Sequence, residues 1–459
     1  MNERKNRGPL VAAFLAGVII TAIAAFFLLG QMGGSAKEDT QVEADASGKA
    51  QAESDALDSA QAEADAPEVS QEKADASEAS QVKADASEEA KPESDTSEAS
   101  QPQADSSETA AAAGKDIDYA SVFPSWNPDS ESLSELVDFV ADVTDESSSG
   151  YLDPADRIAV FDMDGTILCE KAPVYVDYCL TMYRVLDDPS YEATEEERDA
   201  MQQVRDHAYS EGKTFHPEGI TKDDLVASAF AGMTPEEFRA YVVDFADHEE
   251  VVGFEGMTYG QSFYKPMIEV IEYLKANNFD VWMVSACESE VVRALVERYD
   301  IPYDHVIATD VPYVASAKGE EAADDYNMGK DEQILLGAPL DEVECGKSGK
   351  PAAIAREIGK RPVLAFGNSS GDYSMLNYAE GNPDHRGMGF FVVCDDTERE
   401  YGSDEKAAEY YDQVEKEGWT PFSMADDWKT IYGDGVQKTE LPGAEEQDVE
   451  EEEALPGAA

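Results

Sequence analysis

The chain predicts an α/β fold, a doubly wound parallel sheet with helices on both faces, and three observations carry that expectation. First, "RIAVFDMDG", "FDVWMVSACES" and "RPVLAFGNSSGD" contain the unbroken apolar runs of strands buried on both faces. Second, amphipathic helical patterns separate and follow them, such as "MIEVIEYLKANN" before the second run and "SEVVRALVERY" after it. Strands alternating with helices are what a parallel sheet with crossover connections requires. Third, each run ends in polar residues: Asp162 and Asp164; Ser285; then Asn368, Ser369 and Asp372. Ligand crevices of such sheets lie outside the carboxyl ends of the strands, so these residues are expected to share one edge.

Arg4, Lys5 and Arg7 precede an uncharged run from Pro9 to Gly30, which is long enough for a membrane-crossing helix and has a basic flank that favours the cytoplasmic side. Residues 1–36 are therefore expected to be a cytoplasmic tip and transmembrane helix or signal anchor, with the rest of the chain outside the membrane. A cleaved signal peptide is the competing reading, since Gly34-Ser35-Ala36 offers small residues for cleavage. In that case the protein is secreted.

From residue 41 the sequence repeats every ten residues, with Gln41, Gln51, Gln61, Gln71 and Gln81 opening units and Asp45, Asp55, Asp65, Asp75 and Asp85 in fifth place. Ala, Ser and Glu fill the units, and a unit without large apolar residues cannot offset its ordering entropy by burial. Residues 37–115 are read as a charge-extended, disordered stalk; solenoid repeats would need apolar positions in every unit.

Folded sequence is expected over 116–435. It opens with "SWNPDSESLSELVDFV", where an Asp129-Ser130 cap precedes Leu133, Leu136, Val137 and Val140 at helical spacing. Between the first and second strands, about 170–262, lie helical patterns that the sheet does not need: "VYVDYCLTMYRVL", "TEEERDAMQQVRDHAYSEG" and "TKDDLVASAFAGMTPEEFRAYVVDFADHE". Residues 436–459 are acidic and punctuated by Pro and Gly, and read as a disordered tail.

Charge excludes some partners. With 99 acidic residues against 34 basic ones the formal net charge is -65, which repels nucleic acid and anionic lipid surfaces. The same acidity is open to a second reading, adaptation to high salt. Five cysteines without a Cys-x-x-Cys pair leave any disulfide pairing open and disfavour a metal–thiolate site.

Asp162-Met163-Asp164-Gly165-Thr166, the strand ending at Ser285, Lys350 in "CGKSGKPAAI" and "GNSSGDYSML" resemble, in order, the four motifs of the haloacid dehalogenase-type hydrolases. The resemblance is closest to their phosphoserine-phosphatase-like branch. It implies a Rossmann-like core with a helical cap inserted after the first motif, and a Mg²⁺-dependent phosphatase acting on a small phosphomonoester. By that resemblance Asp162 is the nucleophile and Asp164 the acid and base. Ser285, the Ala286 amide and Lys350 bind the phosphoryl group, while Asp162, the Asp164 carbonyl, Asn368 and Asp372 hold the metal.

Many relatives carry Asp where Asn368 stands, which removes one charge from the metal site. Glu170, Tyr175 and Tyr178, with Tyr183 beyond them, are candidates for substrate contact from the cap, although packing is the favoured reading of the tyrosines and an equal one for Glu170. "SWNPDSESLSELVDFV" and "AFAGMTPEEFRAYVVDF" are similar to bacterial phosphorylcholine phosphatases, and an aromatic cage of Tyr and Trp would suit a quaternary ammonium. That group, however, carries Asn where Gly165 stands here. Lys213 and Lys222 lack the context of a phosphonatase Schiff-base lysine. The alternative from another class is a surface adhesion or scaffold protein that uses a weakly catalytic hydrolase fold as a binding head.

Overall fold

The computed structural model describes residues 117–443, apart from 171–172, 218, 311–312, 319–327, 329 and 338–344. The expected membrane helix, stalk and far acidic tail lie outside the described residues. Among the described residues, no helix is long and apolar enough to cross a membrane.

Six parallel strands form the sheet. They are β1 (Ile158–Phe161), β3 (Asp280–Glu288), β4 (Val306–Thr309), β7 (Leu364–Gly367), β8 (Met388–Val393) and β9 (Thr420–Ser423), in the spatial order β4-β3-β1-β7-β8-β9. The three runs singled out in the sequence are the three central strands. Chain order departs from β1 in one direction to β3 and β4, then returns to its other side at β7. The β1–β7 boundary is therefore the topological switch point, where a crevice opens at the carboxyl ends.

Register across that boundary is fixed by aromatic packing. Phe161 lies opposite Phe366, and Phe366 opposite Phe390. Their rings follow one another at 4.1 and 5.1 Å, and Phe422 on β9 continues the series 4.9 Å from Phe390. Stacked rings of this kind add about 0.5–1.5 kcal/mol per pair beyond burial. Because Phe161 and Phe366 are level, the polar residues that follow each of them emerge level as well.

The helix α1 (Glu131–Thr144) begins as its sequence predicts, with Ser130 Oγ accepting from Leu133 N–H, and it buries Leu133, Leu136, Val137 and Val140. Trp126 just ahead of it donates from Nε1 to the Pro266 carbonyl at 2.9 Å and packs on Phe422.

The insertion after β1 consists of α2 (Val176–Met182), α3 (Glu195–Glu211), α4 (Lys222–Phe230) and α5 (Pro235–His248), followed by the two-residue strand β2 (Phe254–Glu255). Capping boxes at Thr194, Thr221 and Thr234 start the last three helices. The chain then re-enters the core through α6 (Lys265–Ala276) and β3, continuing into α7 (Ser289–Val296). After β4 comes a hairpin of β5 (Tyr313–Ala315) and β6 (Ile334–Leu336), then α8 (Gly349–Glu357), α9 (Tyr373–Glu380) between β7 and β8, and α10 (Asp404–Glu417) between β8 and β9.

Two expectations need correction. The folded chain does not close at 435: β10 (Gln437–Lys438) pairs antiparallel with β2, and order runs on to Gly443. Its composition reads as tail, but main-chain pairing to the insertion supplies the order that its side chains do not advertise. No tryptophan enters an aromatic cage. Trp126 and Trp428 are buried together, Trp282 stacks on His305, and Trp419 packs on Phe391, because each ring is taken up by the core or the sheet face.

Candidate active site

The chain leaves β1 at Asp162, whose backbone N–H still donates to the Phe366 carbonyl at 3.0 Å. It then turns sharply. Gly165 adopts φ +83°, and a Cβ there would sit 2.0 Å from Asn368 Nδ2, so only glycine fits. Gly165 N–H donates to Leu168 O at 2.7 Å, closing the turn. Thr166, fully buried, directs its hydroxyl to Asp162 Oδ2 and Asn368 Oδ1, each at 3.2 Å; its single proton serves one of them at a time.

Lys350, near the start of α8, is 2% exposed. Its Nζ donates to Asp162 Oδ1 and to Asp372 Oδ1, each at 2.6 Å. Asp372 is occupied on its other oxygen, where Oδ2 accepts from the backbone N–H groups of Asn368 and Ser369 at 3.0 and 3.1 Å. Gly367 makes this possible, since a Cβ there would lie 2.4 Å from Asp372 Cβ. Asp372 thus braces the loop after β7 and shares the lysine.

Burial pushes the Asp162 carboxyl up to about 7, the Asp372 charge adds to the rise, and Lys350 opposes it. Burial works against the Lys350 ammonium, but Asp162 and Asp372 more than offset it and hold its pKa above the ordinary value. One cation shared between two carboxylates leaves an excess negative charge in a buried place.

The oxygens around Asn368 bear on a metal. Asn368 Oδ1 lies 3.0 Å from the Asp164 carbonyl oxygen and 3.3 Å from Asp162 Oδ2, besides its contact with Thr166. Oxygens facing one another in this way repel unless the amide turns to present its NH₂ or a cation lies among them. Adjacent corners of a Mg²⁺ octahedron with bonds of 2.0–2.1 Å are separated by about 3 Å, the spacing found here. The donor set is hard, all oxygen and net anionic, so these residues fit Mg²⁺: Asp162, the Asp164 carbonyl and Asn368 would hold it. Of the metal candidates, Asp372 contributes no oxygen to this cluster and would act through Asn368 and the loop it braces.

A cavity of about 800 Å³ opens over these groups. Asp162, Asp164, Ser285, Ala286, Lys350 and Asp372 form its floor, and Glu170, Tyr175 and Tyr178 stand on its cap side. Ser285 Oγ accepts from the Cys287 N–H at 3.1 Å, which orients the hydroxyl at the end of β3. Tyr175 donates to Glu170 Oε1 at 3.4 Å, and burial, with the charges of Glu170, Asp164 and Asp162, raises its pKa. Tyr183 instead packs on Phe245 inside the cap. Lys347, exposed and with φ 46°, also lines the cavity. The five cysteines are free thiols.

Several lining residues escaped the sequence reading: Asp177 on α2, His216 and Thr221 at the loop between α3 and α4, and Ser403, Lys406 and Tyr410 near the start of α10. Asp177 sits within "VYVDYC", where a face assignment for the helix would have found it. The others belong to segments whose place depends on the tertiary fold.

Residues 159–377 match the family model described as haloacid dehalogenase-like hydrolase. That stretch, from β1 into α9, is a haloacid dehalogenase-like hydrolase domain. Solved structures similar to this hydrolase include a conserved functionally unknown protein from Anaerococcus prevotii, at 16% identity and TM-score 0.40, covering 65% of this chain and 92% of that one. Cytosolic 5'-nucleotidase IIIB bound to cytidine aligns at 11% identity and TM-score 0.38, over 64% and 86% of the two chains. A phosphoserine phosphohydrolase-like protein from Francisella tularensis aligns at 13% and 0.29, over 52% and 87%. No curated protein matches the chain.

Proposed function

We propose that this hydrolase cleaves small phosphomonoesters through an aspartyl-phosphate. The observation that carries the reading is the Asp162–Lys350–Asp372 triangle beside the Asn368 amide and the Asp164 carbonyl, at the switch point of the sheet. A carboxylate oxygen of Asp162 attacks phosphorus as the ester P–O bond breaks, and the alcohol leaves with the proton of the Asp164 carboxyl. Water then attacks phosphorus, Asp164 takes its proton, and the Asp162–phosphorus bond breaks to release inorganic phosphate. Lys350, Ser285 Oγ and the Ala286 amide supply donors to the phosphoryl oxygens. Mg²⁺, when bound, neutralises charge on those oxygens and on Asp162.

The cap wall of Glu170, Tyr175 and Tyr178 supports a cationic alcohol as leaving group, and phosphorylcholine is the first candidate. Display of the domain outside a membrane, through the apolar run Pro9–Gly30, belongs to the same proposal.

The test is phosphate release by the purified protein across phosphorylcholine, phosphoserine, sugar phosphates, nucleotides and an aryl phosphate, with Mg²⁺ and with EDTA. Turnover is expected only with Mg²⁺, and Asp162→Asn should lower it by at least about 10³-fold with an unchanged melting temperature. Undiminished turnover in that variant would move the nucleophile elsewhere.

A further inference from the structure

A cap joined to its core by two linkers can swing away to admit substrate, and this one has the usual pair. Cys169 N–H donates to the Ser262 carbonyl at 2.9 Å, and Leu168 bridges antiparallel to Phe263, so the linkers run side by side like a hinge. Four further attachments surround the cap.

The first is the C-terminal segment, which leaves the core at Ile431 and Tyr432, both buried, and crosses onto the cap. There Gln437 and Lys438 pair with Glu255 and Phe254, Thr439 N–H donates to the Gly253 carbonyl and Gly443 N–H to the Tyr209 carbonyl, both at 2.9 Å. Leu441 is buried against Gly212 and Gly253. The same segment is anchored back to the core by Lys438 Nζ, which donates to the carbonyls of Thr397 and Glu400 at 2.9 Å.

The second attachment is the β5–β6 hairpin. Gly232 N–H donates to the Leu336 carbonyl at 3.0 Å and Leu336 N–H to the Met233 carbonyl at 2.8 Å. The third is an ion pair of half-buried Arg239 on α5 with buried Glu290 on α7; Glu290 also accepts from Arg293 at 2.6 Å and Tyr313 at 2.5 Å. The fourth is Arg298, which donates to the Gly260 carbonyl at 2.9 Å and lies 3.3 Å from Asp247.

A swing about the hinge would break main-chain bonds on two sides and expose a paired carboxylate, whereas the cavity already has an exposed rim. His216 and Thr221 on the cap, and Ser403 and Lys406 of the α10 start, line it and are all solvent-exposed.

We propose that residues 432–443 are a strap which, with the β5–β6 hairpin, holds the cap on the core throughout turnover, and that substrate enters through the rim between the α3–α4 loop and α10. The turnover part rests on the phosphatase reading above; the strap does not.

The test is a cross-strand disulfide, Glu255→Cys with Gln437→Cys. These residues are exposed partners on β2 and β10, and directly opposed antiparallel residues have Cβ atoms about 4.5–5.5 Å apart, near disulfide range. Wild-type protein oxidised in the same way controls for the native thiols. A fixed cap predicts that oxidised and reduced forms of the double variant differ by less than about threefold in kcat and in kcat/KM. A larger loss on oxidation overturns the proposal. Amide hydrogen exchange of the full chain gives a readout independent of activity. Thr439, Gly443, Gly232 and Leu336 should exchange as slowly as β1 and β7, and exchange about 100-fold faster than the sheet would show a strap that opens. Absence of phosphatase activity in wild-type protein would count against the function alone, because the exchange pattern still decides the strap.

Discussion

Lys350 holds together two buried carboxylates that would otherwise repel each other. Lys350→Ala leaves Asp162 and Asp372 buried without their cation, a loss of the kind that costs about 3–5 kcal/mol. The expected result is a lower melting temperature that partly recovers toward acid pH as Asp162 takes a proton, and does so at a higher pH than in the parent because Lys350 no longer holds that carboxyl down, measured by thermal unfolding from pH 5 to 9. A variant as stable as the parent at pH 8 would contradict the shared-cation account. Glu400 presents the opposite case, a buried carboxyl without a paired cation of this kind. It accepts from Tyr432 OH and from Tyr401 N–H at 2.8 Å, with Cys169 Sγ 3.7 Å away, and burial pushes it from 4.5 up to about 7. A raised carboxyl pKa means that the native state holds the proton more tightly than the unfolded one. The resulting stability is whole below pH 4.5 and is lost as pH rises through 7, amounting to about 3 kcal/mol at 1.36 kcal/mol per unit. Glu400→Gln should flatten that fall, so that its melting temperature gains on wild type between pH 4.5 and 7. Parallel curves would place the proton elsewhere.

At the scale of elements, the turn after β1 and the loop after β7 make the site by meeting. Their level is set by Phe161 against Phe366, and their closeness by Gly165 beneath Asn368. Gly165→Ala introduces a Cβ into the Asn368 amide at a φ that L-residues resist, so the amide must move away from the Asp164 carbonyl. A loss of Mg²⁺ affinity larger than the loss of stability is expected, read by Mg²⁺ titration of turnover beside thermal melts. Equal affinity in the variant would remove Asn368 from the metal shell. Asp372 illustrates why sequence motifs leave roles open: its position in "GNSSGD" marks it as part of the site, while only the folded loop shows one oxygen on Lys350 and the other on two backbone amides.

On the scale of the whole molecule, the proposed display outside a membrane rests on the apolar run Pro9–Gly30 and its basic flank, and makes a prediction of its own. Protease added to intact cells should remove the hydrolase domain from the cell-bound fraction, followed by immunoblot against residues 117–443. Full protection would invert that topology.

Strands β3, β1 and β7 and the candidate residues Asp162, Asp164, Ser285, Asn368 and Asp372 were legible in the sequence because parallel strands buried on both faces must be continuously apolar, and polar residues after them then stand out; Lys350, at a helix start, was marked only by the motif resemblance. The edge strands β4 and β9 are only four residues long, and β9 carries Pro421, so their signal is weaker. What the tertiary structure alone decided are long-range matters: which oxygens Asn368 faces, which tyrosines reach the cavity, and that residues 436–443 bind the cap. Composition counts what a segment could bury of its own, and the strap is ordered by main-chain bonds to a partner strand more than 180 residues earlier (437 against 255, 438 against 254), which no local pattern records.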